Sequence, residues 1–133
     1  NSPLYNRLGG IAHAQQAHEL AIEYFERRYE QQPDNPIAAN NLAYELLFVS
    51  SPDLARALKL ANQAVRADLR NPSYRETRGQ IYVRLQRWEE AIDDLEIAVN
   101  AKPRRADIHG ALATAYAALG KQDLAALHRG QAN

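Results

Sequence analysis

Few residues here are of the types that carry acid–base, nucleophilic or metal chemistry, and their spacing points away from it. The absence of cysteine among 133 residues removes disulfides, zinc-thiolate sites and thiol catalysis together. The four histidines are His13, His18, His109 and His128. His13 and His18 are five apart, which on one helix sets them about 140° apart. No H-E-x-x-H motif accompanies them, so they are expected on the surface or in packing, with no metal site. Glu89, Glu90, Asp93 and Asp94 form an acidic run. It falls in the opening turns of an expected helix, where negative charge favours the macrodipole. A calcium loop needs glycine and irregular backbone, so this run reads as a solvated face. Gly9-Gly10 lacks phosphate-loop context, and no G-x-S-x-G or P-loop motif occurs. The expectation is a non-enzyme without a cofactor.

Charge narrows the partners. Lys plus Arg and Asp plus Glu each number 16, so the formal charge is zero. Nucleic-acid and anionic-membrane binders normally carry a basic excess. Arginine outnumbers lysine 13 to 3, with Arg104-Arg105 in an expected loop. Acidic residues interleave with these arginines and no aromatic-basic stripe appears, so nucleic acid is not expected as a partner. Apolar residues make up 46% and charged residues 24%, the mix of a folded soluble chain. No apolar run approaches the roughly 18 residues a membrane span needs. The chain has no methionine and no signal-peptide pattern, which suggests a processed product or a piece of something longer. The compartment stays open between cytoplasm and periplasm.

The elements that position these residues recur. Gly9, Ala43, Gly79 and Ala113 are spaced 34, 36 and 34 apart, and Ala21, Ala57, Ala91 and Ala125 are spaced 36, 34 and 34. The two extra residues therefore enter between Ala43 and Ala57, where Ser50-Ser51-Pro52-Asp53 provides a turn. Within a period, apolar residues follow helical spacing twice, as in Tyr74, Ile81, Tyr82 and Leu85, then Ala91, Ile92, Leu95, Ala98 and Val99. Short connections such as Gln86-Arg87 force the two helices antiparallel. Pro36, Pro52, Pro72 and Pro103 sit at or before helix starts, with Asn35, Ser51 and Asn71 as expected N-caps. The pattern predicts helices near 3–14, 17–31, 36–49, 53–67, 72–85, 88–101, 106–119 and 122–130. The first hairpin lacks glycine or proline around Gln15-Gln16, so one long helix is the alternative there.

This unit resembles the tetratricopeptide repeat, whose pattern runs W-x2-L-G-x2-Y, Ala, an aromatic, then Pro. The best-matching repeat is 72–105, with Gly79, Tyr82, Trp88, Ala91, Ala98 and Pro103 in register. The C-terminal repeat, 106–133, has Leu112, Ala113, Tyr116, Gly120 and Ala125, and 36–71 matches with its two-residue insertion. The degenerate repeat is 1–35, carrying Tyr5, Leu8, Gly9, Ala21, Phe25 and Pro33. Departures include Arg75 and Arg78 in the Trp and Leu slots, and Arg28 and Arg129 in the terminal repeats. The resemblance, of bacterial type, implies a single all-α domain: a right-handed superhelical solenoid of antiparallel hairpins with seven or eight helices. The small column lets paired helices approach to about 8 Å, with Gly79 expected to face Ala91.

The resemblance also implies a function, a non-catalytic scaffold that binds a peptide or partner protein in a concave groove. One face of the first helix of each repeat selects Asn6 and His13, then Asn40, Tyr44 and Leu47, then Glu76, Gln80 and Val83, then Thr114. Tyr44, Leu47 and Val83 would make an apolar spot, with Asn40, Gln80 and Glu76 bonding a peptide backbone. Ser73 and Thr77 stand where the family's carboxylate-gripping basic residues would be, which argues against capture of chaperone tails. The alternatives are a regulatory or docking domain of a larger enzyme, and homo-oligomerisation through exposed solenoid ends.

Overall fold

The structure, a computed structural model, describes residues 2–133. They form eight α-helices and no strand: α1 (Ser2–Ala14), α2 (His18–Gln31), α3 (Pro36–Glu45), α4 (Leu54–Ala67), α5 (Pro72–Arg84), α6 (Trp88–Ala101), α7 (Ala106–Ala118) and α8 (Gln122–Ala132). The chain divides into two compact units, Asn1–Ala67 and Asp68–Asn133. In the first, α1 packs on α2, α2 on α3 and α3 on α4. In the second, α5 packs on α6, α6 on α7 and α7 on α8. Each unit is thus two hairpins stacked in chain order, an all-α arrangement of the tetratricopeptide type.

The helix starts follow their local chemistry. Asn35 Oδ1 accepts from the Ile37 and Ala38 amides at 2.9 and 3.2 Å, and Asn71 Oδ1 from Tyr74 N at 3.1 Å. Each cap precedes a proline whose missing N–H costs nothing at that position. For α4 the cap is Asp53, which accepts from Arg56 N at 3.0 Å, rather than Ser51. The hairpin turns share a different device. Gln16, Gln86 and Gly120 have φ of 60°, 59° and 75°, each five residues before the small residue Ala21, Ala91 or Ala125. A left-handed residue reverses the chain at the end of a helix, and Gln16 does so without glycine. The first repeat is therefore a hairpin and not one long helix. α3 departs from its expected length. It ends at Glu45, tightens into a 3-10 turn over Leu46–Phe48, and leaves as extended chain at Val49. The turn keeps this helix arm as long as α1, α5 and α7, and the two inserted residues lie in the connection 49–53, five residues long where the other hairpins have three, at the expected Ser50-Ser51-Pro52-Asp53 stretch.

The cores are built from Leu42, Leu60 and Phe25 in the first unit, and from Ile81, Leu95, Ile108 and Leu112 in the second. Gly79 faces Leu95 rather than Ala91: a Cβ at Gly79 would lie 2.6 Å from Leu95 Cγ. Gly9 faces Phe25 in the same way, with its Cβ position 2.5 Å from the ring. The arginines of the Trp and Leu slots have a specific partner. Arg75 Nη1 and Arg78 Nη2 donate to Asp94 Oδ1 at 2.8 and 2.9 Å, and Arg78 Nε donates to Oδ2 at 2.7 Å. Asp94 is buried, so the acidic run is not a uniformly solvated face. Its other members, Glu89, Glu90 and Asp93, are exposed as expected. Arg28 is buried as well and donates to Gln32.

Candidate functional site

In the first unit the polar side chains with functional potential gather around the end of α3. His13 leaves α1 one residue before its end, and His18 opens α2 after the reversal at Gln16. The two rings therefore belong to different helices, and the spacing around a single helix does not apply. Glu45, the last residue of α3, lies between them and is 1% exposed. His13 Nδ1 is 2.7 Å from Glu45 Oε2, and His18 Nδ1 is 2.7 Å from Glu45 Oε1. Aromatic rings pack against the group. Phe48 stacks on His18 at 4.9 Å and 17°, and meets His13 edge-on at 5.0 Å. Tyr44 lies 5.8 Å from the His13 ring and 5.0 Å from Phe48. A buried carboxylate is costly unless hydrogen-bonded or paired, and the two imidazoles supply its partners.

Asn6, Asn40 and Leu47 are half-buried near this group in sequence register. Asn6 Oδ1 accepts from Asn41 Nδ2 at 3.4 Å. Asn40 Oδ1 is shielded from solvent without a hydrogen-bond partner. In the second unit the expected face is differently employed. Glu76 is buried and paired with Lys102 at 3.3 Å and Arg105 at 2.8 Å, so its carboxylate is engaged within the unit. Gln80 reaches the Asp107 carbonyl at 3.5 Å, and Thr114 donates to Gly110 O of its own helix at 3.1 Å. Val83 is half-buried.

A second polar group lies in the other unit. His109 Nε2 is 2.7 Å from the Pro103 carbonyl, which only an N–H can satisfy. The Nδ1 atoms of His109 and His128 share a hydrogen bond across 2.9 Å. His128 Nε2 faces Glu96 at 3.4 Å, and Tyr116 donates its hydroxyl proton to Glu96 at 2.8 Å. Burial first, then that hydrogen bond, pushes the Tyr116 phenol up to about 12.

Reading the sequence for motifs misses Glu45, His18 and Phe48 as members of one group. The repeat register carries the missing signal. Glu45 occupies the slot of Ile11, Ile81 and Ala115; His13 that of Leu47, Val83 and Ala117; His18 that of Leu54, Trp88 and Gln122. Three residues able to bind a metal replace mostly apolar ones at positions the fold brings together.

Among known proteins, the family described as tetratricopeptide repeat matches residues 2–35, and that described as bacterial transcriptional activator domain matches residues 50–129. No curated protein sequence matches significantly. Several solved structures are similar along nearly the full chain. TTC0263, a thermophilic TPR protein of Thermus thermophilus, is 26% identical with a TM-score of 0.82, covering 99% of this chain and 73% of that one. MamA of MSR-1 is 27% identical with a TM-score of 0.75, covering 100% and 75%. MamA 41-end from Desulfovibrio magneticus RS-1, at 17% identity and a TM-score of 0.78, covers 98% and 73% and shares the fold alone. By residues 50–129 the chain belongs to the bacterial transcriptional activator domain family, and by residues 2–35 and its repeated hairpins it is a tetratricopeptide-repeat protein.

Proposed function

We propose that this chain is a non-catalytic protein-interaction scaffold that holds partner segments against the first-helix faces of the repeats within each unit. In the first unit the contact face is Asn6, Asn40, Tyr44 and Leu47, with His13 at its edge. In the second unit Gln80, Val83 and Thr114 serve the same purpose, and Glu76 supports the face through Lys102 and Arg105.

The observation that carries this reading is Asn40. Its carbonyl oxygen has no hydrogen-bond partner, beside a half-buried tyrosine and leucine. Leaving such a group unpaired costs about 1–3 kcal/mol. A swing of the whole Asn40 side chain toward a bound peptide would pair its oxygen with a backbone N–H and recover that cost, while Tyr44 and Leu47 provide apolar area. Membership of the repeat family supports a protein partner in general.

Peptides selected from a displayed random library against the purified chain test the proposal. Replacing Tyr44 with Ala, or Asn40 with Ala, is expected to weaken the selected peptides about tenfold or more, the equivalent of roughly 1.4 kcal/mol. The same variants should keep their helical circular dichroism. Peptides that bind both variants as tightly as the parent chain would place the contact elsewhere.

A further inference from the structure

We propose that His13, His18 and Glu45 form a binding site for one divalent transition-metal ion of the zinc class, open to a fourth ligand. This goes beyond the scaffold reading and does not rest on it.

The ligand atoms are already assembled. One ring nitrogen from each histidine and a carboxylate oxygen of Glu45 all lie within 4.8 Å of one another, and it is Nδ1 of each ring that faces the carboxylate. Metal–ligand bonds of about 2.0–2.2 Å at tetrahedral angles set ligand atoms roughly 3.3–3.5 Å apart. To admit an ion, the two imidazole–carboxylate pairs at 2.7 Å must open by about 0.7 Å and the widest separation close by about 1.5 Å or less, within reach of small rotations of two imidazoles and one carboxylate. Both rings must carry their proton on Nε2 in the loaded state, a change of tautomer from the one that donates to Glu45.

Three further observations distinguish this group from an ordinary surface cluster. Its members come from three elements, the end of α1, the start of α2 and the end of α3, so their meeting is a product of the fold. They occupy repeat positions held elsewhere by Ile81, Val83 and Trp88 among others, so apolar packing at these sites has been exchanged for ligands. Phe48 and Tyr44 line the group with rings that restrict the histidines and lower the local dielectric, as the apolar shell of a metal centre does.

Burial sets the kind of site. Glu45 is 1% exposed, whereas the His13 and His18 side chains are 35% and 21% exposed. An ion held there is anchored on its inner side by the carboxylate and faces solvent past the histidines. That leaves a coordination position for water or for a donor group of a bound partner. Two imidazoles and one carboxylate, with no thiolate, suit zinc, copper(II), nickel and cobalt. Calcium and magnesium, which want six or more oxygens or several retained waters, do not fit.

The full chain should be titrated with zinc chloride by calorimetry, and with cobalt(II) chloride by visible absorption, in a non-coordinating buffer. One equivalent is expected to bind with a dissociation constant on the order of 10 µM or tighter. Cobalt should show the intense visible bands of a four- or five-coordinate ion, and zinc should raise the melting temperature reversibly with chelator. His18→Asn and Glu45→Gln should each weaken binding about tenfold or more, while His109→Asn leaves it unchanged. The cobalt spectrum of the unaltered chain decides the matter even where a variant fails to fold. Octahedral cobalt bands only, binding weaker than about 100 µM, or binding that survives His18→Asn would reduce the group to a carboxylate held by two imidazoles and overturn the proposal.

Discussion

Tyr116 shows how one side chain ties stability to pH. Its phenol is buried against His128, 5.6 Å away and nearly parallel, and donates to Glu96. Ionisation would strip that proton and leave two anions in contact, which is why the group is held up to about 12. The unfolded phenol titrates near 10. Because the folded value is the higher one, this contribution is fully present below pH ~10 and is lost as pH rises through about 12. Tyr74 and Tyr82 are shifted the same way by burial, so the loss is shared. We expect the melting temperature to fall between about pH 10 and 12, and to fall less steeply in Tyr116→Phe than in the parent chain. Equal slopes in the two proteins would show that Tyr116 is not a source of the alkaline loss.

At the scale of helices, hairpin closure depends on which residue covers the small column. Leu95 is wholly buried over Gly79, so a methyl group there meets a branched carbon that has nowhere to go. Gly79→Ala is expected to cost about 1–3 kcal/mol through overpacking. Gly110, by contrast, has open space where its Cβ would be, and Gly110→Ala should be neutral or stabilise α7 by up to about 1 kcal/mol. Urea unfolding of the two variants checks the contrast, and matching destabilisation in both would sink the assignment. Much of this layer is legible in the sequence. Asn-Pro pairs mark where α3 and α5 begin, and the 34-residue spacing marks which residues are equivalent. Spacing does not report how two helices cross, however, and so it pairs Gly79 with Ala91 where the fold pairs it with Leu95. A residue type also does not report a left-handed backbone. Nothing about Gln16 announces φ of 60°, and without that reversal His13 and His18 read as opposite faces of one rod. Glu45 becomes visible only against Ile81 and Ala115, a comparison between repeats rather than along the chain.

Over the whole molecule, charge is balanced in number, and several of the basic side chains are paired with acidic ones. Arg105 is engaged by Glu76 and Asp107, and Arg56 by Glu26. Neutralising several phosphates would require breaking such pairs. Binding to single-stranded RNA at physiological salt is expected to be weaker than about 10 µM, with no change in Arg104→Ala/Arg105→Ala. Sub-micromolar binding lost in that variant would contradict it. The longer connection over 49–53 has a consequence of another kind. A chain built from near-copies can pair one hairpin with the wrong neighbour while it folds, because equivalent helices carry equivalent apolar columns. The added residues follow Phe48 and Glu45, which with His13 and His18 are side chains that no other repeat duplicates. Within the first unit, only the correct pairing of its two hairpins brings both imidazoles to Glu45, and any other leaves that carboxylate without them.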